Sequence, residues 1–162
     1  MLLISNKAKI SKWADIEDSI KGSRIIIEDG VLIDSFVKIK PTGGMGDIRI
    51  GKNSCINSGV VIYSGNGVCV GENVLIAANC TLAPVNHEFR SRNEKIVEQR
   101  FQPSRGGIVI EDDVWIGANT VIVDGAILHK GCVVAANSLV NAELEEYSIN
   151  VGSPTRKIGC RE

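Results

Sequence analysis

The feature that most constrains the fold is a six-residue repeat of aliphatic residues. In the C-terminal half of the chain, the repeat consists of Ile110, Ile116, Ile122, Leu128, Val134 and Val140. This spacing matches neither the period of a helix nor the alternation of an ordinary β-strand. Hexapeptide repeats are typical of a parallel β-helix, in which successive coils stack on one another. The sequence therefore predicts an all-β protein.

The same repeat extends toward the N-terminus. Its earlier triplets are Ile27, Ile33 and Ile39, then Ile50, Ile56 and Ile62, then Val70, Ile76 and Leu82. Four residues after each aliphatic lies a second column that is mostly small or β-branched: Val31, Val37, Ser54, Val60, Val74, Cys80, Val114, Thr120, Ala126, Cys132 and Ser138. We interpret the repeat as a three-sided prism, in which both columns point toward a narrow axis and fill it.

Glycine and asparagine recur at the expected corners of this prism. Glycine directly follows the aliphatic residue at Gly51, Gly71 and Gly117, and asparagine stands two residues later at Asn53, Asn73 and Asn119. Both residue types tolerate left-handed backbone angles better than other residues do. We therefore expect both to turn the chain at the corners.

Composition narrows the class of protein. The chain has 162 residues, of which 44% are hydrophobic but only 4% aromatic, and this favours one domain over residues 1–162 with a thin aliphatic core. The net charge of −1 offers no basic surface for nucleic acid. The apolar start breaks at Ser5, and no stretch reaches membrane-spanning length. We expect a cytoplasmic protein without membrane insertion.

The cysteines and histidines do not indicate a metal site. Cys55, Cys69, Cys80, Cys132 and Cys160 lack CxxC spacing, and two of them lie in the small interior column. We interpret all five as reduced core thiols. Only two histidines are present, fewer than a three-histidine zinc site requires.

Two short segments interrupt the repeat. Residues 41–47, PTGGMGD, lack the GK[ST] ending of a phosphate-binding loop and are interpreted as a surface turn. Residues 64–67, SGNG, fit either a tight turn close to a binding groove or a tolerated bulge at a corner.

A third, much longer interruption covers residues 86–107 and opens with Asn86 and His87. A loop of this length in a compact fold is usually functional or disordered. It contains apolar side chains that could pack against a neighbouring molecule: Phe89, Ile96, Val97 and Phe101. We therefore expect an ordered arm.

The two ends of the chain are less regular. Residues 1–24 fit one more coil of the prism or a short amphipathic helix. Residues 143–162 should cap the other end, and the segment ELEEY at 143–147 is expected to leave the prism as a turn or helical cap.

Five segments together carry a resemblance: LAPVNHEF, EQRFQPSRGG, IVIEDDVWIGANTVI, VVAANSLV and VGSPTRKI. In this order they resemble the hexapeptide-repeat acyltransferases, and above all the sugar O-acetyltransferases of surface-polysaccharide assembly. Maltose, galactoside and nodulation-factor acetyltransferases are related to these. The resemblance covers residues 27–160 and implies a left-handed β-helix, a homotrimer and acetyl-CoA as co-substrate.

The resemblance also implies roles for individual residues. Members of the family carry a catalytic histidine at the third interruption, which here is His87. A neutral imidazole can remove the proton of an attacking hydroxyl group. Its ring could be oriented by Glu88, by Asn86 or by a backbone carbonyl of the arm. Asn57 matches an asparagine that binds the sugar in related galactoside enzymes, although the SGNG segment departs from their acidic residues. His129 follows the inward Leu128 and is expected to be a solvated surface residue.

The residues that would contact coenzyme A come from the C-terminal half of the prism. Trp115, Gly117 and Ala118 resemble the stretch beside the thioester. Ala135 and Ala136 match a region where small side chains leave backbone amides free for the pantetheine arm. Arg156 and Lys157 match positions that attract the nucleotide phosphates.

Together these observations predict an O-acetyltransferase that moves an acetyl group from acetyl-CoA to a hydroxyl of a sugar or surface-glycan precursor. No GxSxG motif is present, so direct attack assisted by the histidine is favoured over a covalent enzyme intermediate. Two alternatives stay open. The acceptor could be an amino sugar, serine or an antibiotic, or the β-helix could be a scaffold without catalytic activity.

Overall fold

The computed structural model describes residues 1–162 and shows a left-handed parallel β-helix. Its short strands form three parallel sheets, which are the three faces of a prism, and a long arm protrudes from one edge. The predicted all-β fold is confirmed. No helix is long and apolar enough to cross a membrane.

The strands follow the faces in strict rotation. Face 1 consists of β1 (Leu2–Ile4), β4 (Ile25–Ile27), β7 (Ile48–Ile50), β10 (Val68–Val70), β13 (Ile108–Ile110), β16 (Ala126–Leu128) and β19 (Glu143–Leu144). Face 2 consists of β2 (Lys9–Ile10), β5 (Leu32–Ile33), β8 (Cys55–Ile56), β11 (Leu75–Ile76), β14 (Trp115–Ile116), β17 (Val133–Val134), β20 (Ser148–Val151) and β21 (Arg156–Cys160). Face 3 consists of β3 (Asp15–Ile16), β6 (Lys38–Lys40), β9 (Val61–Tyr63), β12 (Thr81–Ala83), β15 (Val121–Val123) and β18 (Leu139–Val140).

The six-residue repeat fills the interior. Register stacks each aliphatic residue on its equivalent in the next coil, so that Ile76 pairs with Ile56 below it and Ile116 above it. The small column is buried as well, including its hydroxyl residues. Ser54 Oγ donates to the carbonyl of Gly71 at 2.8 Å, which satisfies a buried hydroxyl without a second side chain. Both interior columns are therefore confirmed.

The faces meet at three edges, which we name by the faces that they join. Asparagines take left-handed angles at these edges, as at Asn53 on edge 1–2 and Asn119 on edge 2–3, each with φ of 58°. The expectation that the glycines do the same is wrong for Gly51, Gly71 and Gly117, none of which has a positive φ. A Cβ on Gly51 would lie 2.5 Å from the carbonyl oxygen of Gly71 in the next coil. Close stacking of backbones, rather than turning, requires glycine there.

Both ends of the prism are built from strands. Residues 1–24 contain β1, β2 and β3, which pair with β4, β5 and β6 as a first coil. The expectation that residues 143–147 leave the prism is wrong, because β19 pairs with β16 and Leu144 is buried. The cap is β21 instead, which pairs antiparallel with β20.

The five cysteines divide into two groups. Cys80 and Cys132 lie in the interior, where burial raises the pKa of the Cys80 thiol and raises that of the Cys132 thiol to about 12. The expectation of core thiols is wrong for Cys69 and Cys160, whose side chains point outward and are exposed. Cys55 is half-buried on face 2.

His129 is clamped between two carboxylates. Its Nδ1 lies 3.0 Å from an oxygen of Glu111, and its Nε2 lies 2.7 Å from an oxygen of Glu143. The side chain lies at the surface, as expected, and is 32% exposed, but both of its ring nitrogens are engaged by carboxylates. The hydrogen bonds to Glu143 and Glu111 raise the pKa of His129 above its ordinary value of 6.5. The charged imidazolium therefore ties three successive coils together.

We predict that Gly51→Ala destabilises the fold by about 1 to 3 kcal/mol, since the added methyl group cannot fit between stacked coils. Gly159→Ala is the matched control, because a Cβ there meets nothing within 4 Å. Urea denaturation of both variants measures the difference. Equal midpoints would show that close stacking at edge 1–2 does not require glycine.

We predict that His129→Gln costs most stability in mild acid. A histidine whose folded pKa is raised stabilises the protein fully below the unfolded pKa, and this contribution is lost as pH rises through the folded pKa. Thermal denaturation of wild type and variant between about pH 6 and about pH 9 should therefore show a gap that narrows with rising pH. A gap of constant size would contradict the charged clamp.

Candidate functional site

The three interruptions of the repeat lie on one edge of the prism, edge 3–1. Residues 41–47 and 64–67 stack directly on each other, since Gly46 N–H donates to the carbonyl of Gly65 at 2.9 Å. A Cβ on Gly44 would collide with the same carbonyl. We call these two stacked segments the platform. The longest interruption leaves the prism immediately above it, where Asn66 N–H donates to the Pro84 carbonyl at 3.0 Å. Residues 64–67 thus form a turn on this edge, next to the point where the arm leaves the prism.

A buried carboxylate closes the base of the arm. Asp124 is 2% exposed and accepts hydrogen bonds from two backbone amides at the end of the arm, those of Arg105 at 2.8 Å and Gly107 at 2.9 Å. Buried backbone donors need such partners, so this side chain fixes where the chain re-enters the prism. Sequence reasoning missed Asp124. The only signal was its place at the corner after β15, in a coil adjacent to the arm.

Within the arm, the two limbs pair with each other. Glu88 N–H donates to the Arg100 carbonyl at 3.0 Å, and Gln102 N–H donates to the Asn86 carbonyl at 2.9 Å. At the tip, the Gln99 side chain bonds both backbone groups of Ser91, at 3.0 and 2.8 Å. A single short helix, α1 (Ile96–Gln99), lies in this tip. The arm is ordered, as predicted.

His87 lies at the start of this paired region. Its Nδ1 lies 3.1 Å from the carbonyl oxygen of Arg100, and its ring packs against Phe101 with 4.7 Å between ring centres. A carbonyl can only accept, so Nδ1 carries the proton in this contact. In the neutral ring, Nε2 is therefore the unprotonated nitrogen, which is the form that a general base needs.

Glu88 does not orient the imidazole. Its carboxylate accepts the amides of Phe89 and Arg90, at 2.9 and 3.0 Å, and these hydrogen bonds lower the pKa of Glu88. Of the three candidates named from the sequence, the backbone carbonyl is the group that contacts the ring, through Arg100.

The imidazole borders a small open cleft between the arm and the platform. The cleft has a volume of about 270 Å³. Its lining consists of Thr42, Gly43, Tyr63, Ala83, Val85, His87 and Phe101. The walls are mostly apolar or backbone, so the histidine is the one titratable side chain in the cleft apart from the Tyr63 phenol.

The other predicted site residues lie along edge 2–3. Asn57 follows β8 there, and its Nδ2 donates to the Ile76 carbonyl at 3.0 Å. Gly117 and Ala118 follow β14, and the pair Ala135 and Ala136 follows β17. Close stacking of backbones requires glycine at position 117, as it does at position 51, because a Cβ on Gly117 would lie 2.4 Å from the amide nitrogen of Ala136. These four residues carry no side chain larger than a methyl group, and Asn119 and Asn137 follow them at the corner.

Trp115, Arg156 and Lys157 stand beside this edge on face 2. The Trp115 side chain points outward and is 53% exposed. Lys157 pairs with Glu145 at 2.5 Å, and this contact raises the pKa of Lys157. Arg156 is exposed and forms no ion pair, so its guanidinium is free to bind an anion.

The structure therefore brings the predicted residues together in two groups. His87 belongs to edge 3–1, whereas Asn57 and the predicted coenzyme A residues belong to edge 2–3 and face 2. A single chain does not unite them. The arm that carries His87 also exposes a set of apolar side chains: Phe89 at 63%, Ile96 at 58%, Val97 at 79% and Phe101 at 46%.

Comparison with known proteins agrees with this architecture. Residues 107–142 match the family model described as bacterial transferase hexapeptide (six repeats). Galactoside O-acetyltransferase of Escherichia coli is 34% identical over 116 residues, which are 69% of this chain and 53% of that protein. The chain thus spans about half the length of this relative.

Solved structures extend the likeness to the whole chain. A mutant of AntD, an N-acyltransferase from Bacillus cereus in complex with dTDP and coenzyme A, is 26% identical and superposes with a TM-score of 0.81, covering 99% of this chain and 84% of that one. A hexapeptide-repeat acetyltransferase from Vibrio cholerae complexed with acetyl coenzyme A is 33% identical, with a TM-score of 0.67 and coverage of 76% and 66%. The fold and its repeat define a hexapeptide-repeat protein. The chain belongs to the hexapeptide-repeat transferase family.

Proposed function

We propose that this protein transfers an acetyl group from acetyl-CoA to a hydroxyl of a sugar or surface-glycan precursor. The observation that carries the proposal is the geometry of His87, whose Nδ1 contact with the Arg100 carbonyl leaves Nε2 available as a base. The names of the relatives support the class of reaction, since one is a galactoside O-acetyltransferase and another was solved with acetyl coenzyme A.

In this mechanism, Nε2 of His87 takes the proton of the acceptor hydroxyl as its oxygen attacks the thioester carbonyl. The Arg100 carbonyl holds the second ring N–H and stabilises the imidazolium that forms. When the tetrahedral intermediate collapses, the C–S bond breaks, and the imidazolium returns its proton to the leaving thiolate. The products are the acetyl ester and free coenzyme A, and the histidine ends in its starting form.

The edge 2–3 residues fit the donor. Where Gly117 stacks on Ala136 in the next coil, the side chains are too small to cover the backbone. An extended pantetheine arm could therefore approach the backbone amide groups. The indole of Trp115 offers an apolar surface at one side of this groove. Arg156 and Lys157 would supply positive charge for the nucleotide phosphates, with Lys157 exchanging its contact with Glu145.

We further propose that the protein acts as a homotrimer, in which the arm of one subunit covers edge 2–3 of the next. Two observations support this assembly: the predicted site residues lie on different edges of one chain, and the arm exposes apolar side chains that a monomer would leave in water. Each active site would then contain His87 from one subunit and the coenzyme A groove of its neighbour.

A second candidate is N-acyl transfer to an amino sugar. The Bacillus cereus N-acyltransferase favours it, because its likeness to this chain has a TM-score of 0.81 and extends along nearly the full length. The same imidazole could take a proton from an attacking amine. Thiol release in the presence of neutral sugars and of amino sugars separates the two reactions. Failure to bind acetyl-CoA in calorimetry would favour a scaffold without activity.

We predict that His87→Ala lowers acceptor-dependent thiol release by roughly 10²- to 10⁴-fold, the usual contribution of a general base. Acetyl-CoA affinity should hardly change, because the histidine lies outside the proposed donor groove. His129→Ala is the control, since its removal should affect stability and leave turnover intact. Full activity of a folded His87→Ala protein would exclude the mechanism.

We predict that two inactive variants restore activity when they assemble together. His87→Ala lacks the base, and Ala136→Trp blocks the donor groove at an exposed position. In co-expressed trimers with sites between subunits, about one quarter of the sites would combine an intact His87 with an intact groove. Activity near that fraction is the expected result of a transfer assay. No restoration in mixed trimers would place both groups in one subunit.

A further inference from the structure

Edge 2–3 changes character at Asn57. Backbone hydrogen bonds between coils stack one residue from each coil along this edge, in the order Ser11, Asp34, Asn57, Ala77, Gly117 and Ala135. On the C-terminal side of Asn57, the column has only methyl groups or none. On the N-terminal side, it carries a carboxylate and a hydroxyl. The half with small side chains fits acetyl-CoA, the donor of the proposed reaction. The polar half has no role in donor binding.

The polar half lines the largest depression on the protein, which we call the N-terminal cleft. Its volume is about 700 Å³. Lys9, Ser11, Asp34 and Asn57 supply its polar groups, while Ile10 and Leu32 contribute to its apolar lining. The cleft begins where the donor groove ends, because Asn57 and Ala77 occupy adjacent coils of the same column.

The oxygen atoms of this cleft are hydrogen-bond acceptors. Asn57 uses its NH₂ group to reach the Ile76 carbonyl, and its Oδ1, which lies 3.8 Å from Cys55 Sγ, keeps a second lone pair for a ligand. Asp34 accepts its neighbour's amide, that of Ser35, through Oδ1 at 2.6 Å, and its Oδ2 has no partner. Asp34 and Cys55 line the same cleft, and burial, followed by the charge of Asp34, raises the pKa of the Cys55 thiol. A ligand here must bring several donors, as a polyhydroxylated molecule does.

The spacing of these groups sets a minimum length for the ligand. Neighbouring coils lie about 4.8 Å apart, so a molecule that contacts both Asn57 and Ser11 spans two coil steps, or about 10 Å. A single sugar ring centred beside Asn57 leaves the Ser11 and Lys9 end of this span unoccupied. The Lys9 ammonium at the far end forms no ion pair and can donate to ring or hydroxyl oxygens.

From this arrangement we propose that the acceptor is longer than one sugar ring and that Asp34 selects it by binding hydroxyls of the second ring. The inference rests on the proposed acetyl transfer and assigns the N-terminal cleft to the acceptor. The reacting ring lies beside Asn57, next to the thioester end of the donor groove. The second ring lies over Asp34, toward Ser11 and Lys9.

The test compares disaccharides with their constituent monosaccharides in a thiol-release assay. In the wild-type protein, we expect kcat/KM for a disaccharide acceptor to exceed that for the monosaccharide by about tenfold or more, the usual effect of a charge-assisted hydrogen bond. Asp34→Ala should remove most of this preference through the acceptor KM, with the KM for acetyl-CoA unchanged. Asp34→Asn should have an intermediate effect. Asp29→Ala, on the same coil but at edge 1–2, is the matched control and should keep the preference.

The outcomes are distinguishable. A wild-type enzyme that uses monosaccharides as well as disaccharides, or an Asp34→Ala variant that keeps the full preference, would overturn the role of the cleft and leave the acetyl transfer in place. Absence of acceptor-dependent thiol release with every sugar and amino sugar would instead overturn the proposed function, and this inference with it.

Discussion

The constraint on which the structure depends is the in-register stacking of coils. Each coil lies about 4.8 Å from the next and is hydrogen-bonded to it along all three faces. A residue therefore has its equivalent directly above and below, and every edge becomes a column of chemically related positions. Where the backbones stack closely, as between Gly51 and Gly71, even a methyl group is excluded. Interior columns consist of aliphatic and small residues for the same reason, because the axis is too narrow for anything else.

This constraint also organises the functional residues. A groove made by stacked coils has a fixed direction and a fixed spacing, and the repeated small position along edge 2–3 is therefore compatible with the extended donor that we propose. An arm can leave only where a coil is interrupted, and the three interruptions share edge 3–1. His87 and the proposed donor groove are thereby held apart within one chain, and this separation is the reason for proposing that a second subunit completes the site. Separation of the two groups follows from the geometry of a single prism.

Sequence reasoning succeeded where the repeat alone decides the structure. Every aliphatic residue of the six-residue repeat from Ile27 to Val140 is buried, although the repeat did not identify Ile48, Val68 and Ile108, which are buried two residues before the next aliphatic position. Sequence reasoning failed where the structural role of a residue depends on a contact with another coil or with the arm. Gly51 looks like a turning residue until the carbonyl of Gly71 is seen beside it, and Asp124 looks like an ordinary corner until its two amide partners are known. Likewise, no property of the sequence distinguishes the Arg100 carbonyl as the group that holds His87, since the two are joined only by the folding of the arm.

The two hydrogen bonds that Asp124 accepts at the base of the arm determine how far the arm can vary without disturbing the prism. Because Asp124 fixes the point where the chain re-enters the prism, the coils on either side of the arm pair with each other whatever sequence occupies residues 86–105. Exchange or shortening of the arm is therefore expected to leave the register of the prism unchanged. The proposed base is thus carried by a segment that can diverge in sequence, whereas the proposed binding surfaces belong to the prism, whose coil spacing is fixed.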